Sequence, residues 1–159
     1  MLYSHTKNGI PRRAQCEVAQ QLRLMPCVLV VDRDGPARAL STAGLEERGC
    51  RTLSAGSGEE ALRLLYERQP VDLVVTDVTL AKMSGLDFVR SIRQLAGSTE
   101  LPVILCSSYI DQTTVRKAVE YKCNRFLLTP VHPAFLFEQV RTLLQDRVVF
   151  SRNVELRQA

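Results

Sequence analysis

The chain has 159 residues, enough for one domain with a buried core, and 45% of them are hydrophobic and 24% charged, as in ordinary globular proteins. No stretch of roughly 18 uncharged apolar residues occurs, which excludes a transmembrane helix, and no apolar run follows the basic N-terminus as in a secretory signal. The net charge of +4 belongs to the ends: residues 1–26 carry +3 and residues 146–159 carry +1. The neutral stretch 27–145 gives no reason to expect a nucleic-acid-binding face.

The cysteines are few and irregularly spaced. Five occur in the chain, no two are separated by two residues, and only two histidines accompany them. A zinc site or a disulfide framework is therefore not expected. Their odd number and the lack of an export signal predict reduced thiols and a cytoplasmic location.

Short apolar runs alternate with helical patterns between residues 27 and 145. Cys27-Val28-Leu29-Val30-Val31 is an unbroken apolar run, typical of a strand buried on both faces. Similar runs predict further strands at 51–54, 72–76, 101–106 and 125–128.

Helices are predicted between these strands. Ser57-Gly58-Glu59-Glu60 matches a capping box, and Leu136, Val140, Leu143 and Leu144 follow helical spacing after Pro133. Four of the predicted helices cover 36–49, 84–96, 111–121 and 133–145. The remaining one begins after Ser57 and ends before Pro70. A further short helix is predicted at 14–24.

This alternation predicts an α/β domain whose parallel sheet is covered on both faces. We assign residues 1–26 to an N-terminal extension, 27–145 to the domain and 146–159 to a C-terminal tail. Ligands bind such sheets beyond the carboxyl ends of the strands. Polar residues follow four of the strands and are expected to meet there: Asp32, Asp34, Asp77, Ser107, Ser108 and Thr129.

The chain resembles the receiver domain of two-component response regulators. The resemblance depends on the order and spacing of five segments: Val30-Val31-Asp32, Ser57-Gly58-Glu59-Glu60-Ala61-Leu62, Asp72-Leu73-Val74-Val75-Thr76-Asp77, Met83-Ser84-Gly85 and Leu101-Pro102-Val103-Ile104. It implies a flavodoxin-like, doubly wound, five-stranded parallel sheet of order 2-1-3-4-5 with five helices.

The resemblance also implies a site. Asp77 stands where receivers accept a phosphoryl group as an aspartyl phosphate, and Asp32 stands in their acidic pocket. Ser107 and Phe126 occupy the positions of the switch residues. In the family, Mg²⁺ binds beside the phosphoacceptor, which here would involve Asp32, Asp77 and the backbone of Thr79.

Two family positions have changed. Arg33 replaces the second acid, which binds Mg²⁺ directly in receivers, and Thr129 replaces a lysine, while Pro130, which a cis bond precedes in the family, is retained. Arg33 either pairs with Asp77 or Asp32 in place of a cation or extends into solvent. Asp34 either supplies the missing ligand or, as we favour, caps the following helix. The changes predict weak Mg²⁺ binding and slow phosphorylation.

Two functions remain open. The first is a phosphoacceptor receiver in a phosphorelay, which takes its phosphoryl group from a histidine kinase or phosphotransfer protein. The second is a pseudo-receiver that docks without phosphorylation. Neither is an enzyme, and output through a protein-binding face at 111–145, with Tyr109, Arg116, Lys117 and Glu120 on or near it, is expected. A cofactor-binding flavodoxin-like protein is rejected because the acidic segment after the first strand cannot cradle a phosphate.

Overall fold

A computed structural model of the chain describes Glu17 and residues 25–67, 69–95 and 98–158, with side chains described up to residue 145. The strands are β1 Cys27–Val31, β2 Arg51–Ala55, β3 Leu73–Asp77, β4 Val103–Ser107 and β5 Arg125–Leu128. The helices are α1 Gly35–Glu46, α2 Gly58–Tyr66, α3 Gly85–Gln94, α4 Gln112–Glu120 and α5 Pro133–Gln158.

The five strands form one parallel sheet in the order β2-β1-β3-β4-β5, which confirms the predicted topology. One face packs on α2, α3 and α4 around the fully buried Phe88. The other face packs on α1 and α5 around Leu45 and Val140. Every residue of β1 is buried, because this inner strand lies between β2 and β3 and is covered on both faces of the sheet.

Polar side chains begin four of the helices. The side-chain oxygens of Asp34, Ser57, Ser84 and Asp111 each accept the N–H three residues later. The capping box is only half formed: Glu60 accepts a hydrogen bond from the N–H of Gly56 at 2.8 Å rather than from that of Ser57.

Several element ends differ from the prediction. The first helix ends at Glu46, because a turn that leads to Gly49 at φ 90° follows it. β4 begins at Val103, after Pro102. The last helix continues past residue 145 to Gln158, since no glycine or proline after Pro133 interrupts it. The helix predicted at 14–24 lies outside the described residues except for Glu17.

Helices α1 and α5 pack closely where the sequence provides a glycine. A Cβ built on Gly44 would lie 2.4 Å from the Cβ of Pro133. This close approach sets α1 directly against the start of α5. In the described part of the chain, no helix is long and apolar enough to span a membrane.

Candidate functional site

The carboxyl edge of the sheet brings the predicted polar residues together. Asp32 follows β1, Asp77 ends the adjacent β3, and these strands pair with Val31 opposite Thr76. Thr129 follows β5. A cavity of about 440 Å³ opens between this edge, α1 and the loop that precedes α5; Asp32, Asp34, Asp77 and Thr129 all line it.

The backbone holds Asp77 in place from three sides. Its Oδ1 accepts the N–H of Thr79 at 2.6 Å. The N–H of Val78 donates to the backbone carbonyl of Cys106, and the N–H of Gly85 donates to the backbone carbonyl of Val78, each at 2.8 Å. Gly85 lies so close that a Cβ there would be 2.0 Å from the carbonyl oxygen of Asp77. The carboxylate therefore projects from a fixed strand end.

Asp32 and Asp34 use their carboxylates differently. Oδ1 of Asp32 accepts the N–H of Asp34 at 2.8 Å. Oδ1 of Asp34 accepts the N–H of Ala37 at 3.0 Å, which confirms its role as a helix cap. Burial, and then the charges of Asp77 and Asp34, raise the pKa of the Asp32 carboxyl, while the Asp34 N–H and Arg38 oppose this rise.

Replacing Asp32 with asparagine is expected to stabilise the protein at neutral pH. Because the folded state raises the Asp32 pKa, ionisation of this group costs stability, and the full cost applies above the raised pKa. Asp32→Asn should therefore raise the free energy of unfolding at pH 7. This gain should vanish below the usual aspartate pKa of about 3.9. Urea unfolding at pH 7 and below the usual aspartate pKa measures the change in the free energy of unfolding. Glu120→Gln, which changes an exposed carboxylate, is the control. Destabilisation of Asp32→Asn at pH 7 would contradict the argument.

Arg33 does not fill the role of a counter-ion. Its side chain is exposed, and among the described residues it makes no ion pair with Asp32 or Asp77. Of the two alternatives, the structure therefore favours extension into solvent.

Arg38 is the cation near the site, and the sequence analysis missed it. Its Nη1 donates to the backbone carbonyl of Asp32 at 2.6 Å. The available signal was its position one helical turn after the cap Asp34, which places both on the same side of α1.

We expect Arg38→Gln to raise the pKa of Asp32 further, because the guanidinium charge lowers it in the native protein. A ¹³C NMR titration of the Asp32 carboxyl measures the change. The matched variant Arg33→Gln should leave the pKa where it is, since Arg33 is exposed and unpaired in the described ranges. Equal shifts in both variants would show that net charge, rather than Arg38, sets the pKa.

The two serines after β4 are placed differently. Ser107 is buried, with 4% of its surface exposed. Its Oγ accepts a hydrogen bond from the backbone N–H of Tyr109 at 3.4 Å, and its backbone carbonyl accepts one from the N–H of Thr129 at 2.8 Å. Ser108, the second of the predicted polar residues after β4, lines the cavity. Phe126 is half-buried against the core. The bond before Pro130 is cis, as the resemblance to receiver domains implied.

Cys106 lies under the carboxylates. It is 8% exposed and lines the cavity. Burial, and then the charges of Asp77 and Asp32, raise the pKa of its thiol to about 12. The thiol is therefore neutral at physiological pH and is not a nucleophile.

The donor set does not fit a tight Mg²⁺ site. Mg²⁺ prefers an octahedron of oxygen ligands. Two carboxylates, Asp32 and Asp77, remain at the cavity once Asp34 caps α1 and Arg33 points outward. The described residues contain no group of three aspartate, glutamate, histidine or cysteine side chains arranged to hold a metal.

Comparison with known proteins identifies the class. The family model described as "Response regulator receiver domain" matches residues 28–141, so the chain belongs to the response-regulator receiver family. It is 31% identical to the two-component response regulator ORR7 of Oryza sativa subsp. japonica over 74% of this chain, and 32% identical to the transcriptional regulatory protein AfsQ1 of Streptomyces coelicolor over 76%.

A solved structure agrees with these relatives. A response regulator receiver protein from Pseudomonas putida superimposes with a TM-score of 0.70 at 31% identity, covering 74% of this chain and 97% of that one. The chain spans only 56% of ORR7 and 52% of AfsQ1. Receiver domains are signalling modules that bind Mg²⁺ at their acidic pocket and interact with histidine kinases or phosphotransfer proteins. The predicted receiver class and flavodoxin-like fold are thus confirmed.

Proposed function

We propose that this receiver domain accepts a phosphoryl group on Asp77 and passes the signal on by protein–protein contact. The observation that carries the proposal is the position of Asp77, at the end of β3 and on the wall of an open cavity. Only its Oδ1 has a hydrogen-bond partner among the described residues, so its other oxygen is available as the nucleophile.

The proposed step is an in-line displacement. The free carboxylate oxygen of Asp77 attacks phosphorus while the P–N bond of a phosphohistidine breaks. The leaving imidazole keeps the bond's electron pair, and Asp77 becomes an acyl phosphate. Hydroxyls of Ser108 and Thr129 line the cavity as neutral donors to the phosphoryl oxygens. Since these groups carry no charge, we expect transfer to be slow.

The finer assignments belong to the same proposal. We assign Ser107 and Phe126 as switch residues. Mg²⁺ binding at Asp32, Asp77 and the Thr79 backbone is weak, because the site lacks a third free carboxylate. In this proposal, residues 27–145 form the receiver domain, residues 1–26 are an N-terminal extension and residues 146–159 are a C-terminal tail.

The phosphodonor and the output are both proteins in this proposal. A histidine kinase or phosphotransfer protein supplies the phosphoryl group. A downstream protein binds the 111–145 face, where Val119 is 72% and the adjacent Tyr109 65% exposed; Arg116, Lys117 and Glu120 are exposed as well. We propose neither nucleic acid as a partner nor enzymatic turnover, and we place the chain in the cytoplasm.

Intact-mass spectrometry with a small phosphodonor tests this function. Acetyl phosphate should add one phosphoryl group to the native protein and none to Asp77→Asn. Asp34→Asn, which changes a carboxylate at the same cavity but not the nucleophile, should still be labelled. If the native protein remains unlabelled by acetyl phosphate and by a panel of phosphorylated histidine donors, the phosphorylation-independent docking module is the better account.

A further inference from the structure

Helix α4 is attached to the rest of the domain by little apolar contact. Among its nine residues only Ala118 is buried, whereas the neighbouring α3 buries the side chains of Leu86, Phe88, Val89 and Ile92. Burying a methyl group removes much less apolar surface from water than burying a leucine or phenylalanine side chain. Hydrophobic packing therefore holds α4 less firmly than it holds α3.

The end of α4 beside the candidate site has weak attachments. Tyr109 and Ile110, which lead into the helix, are both exposed. Asp111 accepts hydrogen bonds from the N–H and the hydroxyl of Thr114, but these bonds join the helix only to its own cap. The N–H of Tyr109 donates to Oγ of Ser107 at 3.4 Å, which is long for a hydrogen bond. Within the described residues, no other hydrogen bond joins residues 108–111 to the sheet.

The opposite end of α4 is held by Arg93 of α3. Its Nε donates to the backbone carbonyl of Tyr121 at 3.0 Å, and its Nη2 donates to that of Lys122 at 2.9 Å. Its Nη1 donates to the carbonyl of Leu101 at 2.7 Å and to that of Ser98 at 3.4 Å, both in the segment before β4. One guanidinium thus joins the end of α4 to α3 and to the start of β4.

This attachment depends on the chemistry of a guanidinium. The last carbonyls of a helix lack partners within it and form the negative end of its dipole. Arg93 is half-buried, and it makes no ion pair with a carboxylate of the described residues, so its charge faces these carbonyls. A guanidinium presents five N–H donors in one rigid plane, whereas a lysine ammonium is a compact charge on a flexible stem. Arginine can therefore bond both segments at once.

We infer that α4 opens locally from its end beside the candidate site and that Arg93 stops this opening at the other end. Regions with few buried apolar contacts open at the lowest free energy, and in α4 the weakest contacts lie before Asp111. The segment that leads into this end follows Ser107 and Ser108 at the carboxyl edge of the sheet. Arg93 therefore determines how far an opening that begins at this edge extends towards the exposed Val119.

Amide hydrogen exchange of the unmodified full chain, resolved by ¹H–¹⁵N NMR, tests the inference independently of phosphorylation. The N–H of Val115 donates to Asp111 at one end of α4, and the N–H groups of Tyr121 and Cys123 donate to helix carbonyls at the other. After correction for intrinsic rates, Val115 should exchange at least about tenfold faster than Tyr121 and Cys123. Phe88, whose N–H donates to the cap of α3 as Val115 does to that of α4, should stay protected and so controls for ordinary fraying.

Variants of Arg93 decide whether it is the attachment. Arg93→Gln should raise the exchange rates of Tyr121 and Cys123 until the two ends of α4 exchange alike. Arg93→Lys should act in the same way, because one ammonium cannot bond the end of α4 and the segment before β4 together. Arg90→Gln removes the same charge from an exposed position three residues earlier in α3 and should preserve the difference between the two ends.

Three results would overturn the inference. The first is equal or greater protection of Val115 than of Tyr121 in the native chain, which needs no variant and stays decisive if Arg93→Gln fails to fold. The second is an equal rise in exchange across α4 and the strands in Arg93→Gln, which would show that Arg93 supports only overall stability. The third is a native difference between the two ends in Arg93→Lys, which would show that the charge alone is sufficient.

Discussion

A variant that carries both Arg33→Asp and Thr129→Lys is expected to be phosphorylated at Asp77 about 10²–10³-fold faster than the native protein. Phosphoryl transfer depends mainly on positioning and on neutralising charge. The native cavity positions Asp77 but supplies only neutral donors from Thr129 and Ser108. The lysine would bring an ammonium to the phosphoryl oxygens, and the aspartate would add a third carboxylate beside Asp32.

The single variants separate these contributions. Arg33→Asp alone should raise the affinity for Mg²⁺, because it restores oxygen ligands that suit a hard cation. Thr129→Lys alone should leave the metal affinity low but speed transfer. The two effects should not simply add, since both changes act on one cluster of charges. Mg²⁺ titration, followed by the labelling rate at saturating acetyl phosphate, measures each step.

Arg90→Asp is the matched control for charge. Arg90 is exposed on α3, on the opposite face of the sheet, and makes no ion pair in the described residues. It should therefore change neither metal affinity nor rate. If the native protein already binds Mg²⁺ as tightly as Arg33→Asp does, Asp34 supplies the third ligand and our interpretation of its capping role is incomplete.

Gly85→Ala is expected to destabilise the protein by about 3 kcal/mol and to slow phosphorylation of whatever remains folded. The new Cβ would lie 2.0 Å from the carbonyl oxygen of Asp77 and 2.9 Å from the Cα of Val78. Both are backbone atoms, so relief requires the end of β3 to move. That movement displaces the proposed nucleophile.

Gly35→Ala provides a control of the same chemistry. Gly35 begins α1 as Gly85 begins α3, but a Cβ there meets nothing within 4 Å. Its stability should be unchanged or up to about 1 kcal/mol higher, because alanine restricts the unfolded chain. Urea unfolding of the two variants measures the difference. Comparable stabilities would show that the loop after Asp77 yields easily and does not fix the carboxylate.

The fold was predictable because its apolar patterns leave little choice. The continuous run Cys27–Val31 forms β1 with those bounds, and Arg125–Leu128 forms β5. Element ends were less predictable, since they depend on backbone turns such as that at Gly49 rather than on periodicity. The extension of α5 to Gln158 was missed because the apolar periodicity weakens after Leu144, while helix propensity alone continues.

The site was predictable to the level of strand ends. Asp32, Asp77 and Thr129 could be grouped because parallel strands end at one edge. The direction of Arg33 could not be read from the sequence, since the conformation of an exposed side chain is not set by spacing. Arg38 was missed for a related reason: which side chain of α1 reaches the backbone of Asp32 depends on the exact backbone path along that helix.

Borohydride trapping tests most directly whether Asp77 forms an acyl phosphate. Borohydride reduces an aspartyl phosphate to homoserine, which peptide mass spectrometry locates in the chain. After treatment with acetyl phosphate, homoserine should appear at position 77, and omitting the donor should abolish it. Homoserine at Asp32 or Asp34, or none at position 77 in a protein that carries the added phosphoryl mass, would contradict the assignment of the phosphoacceptor.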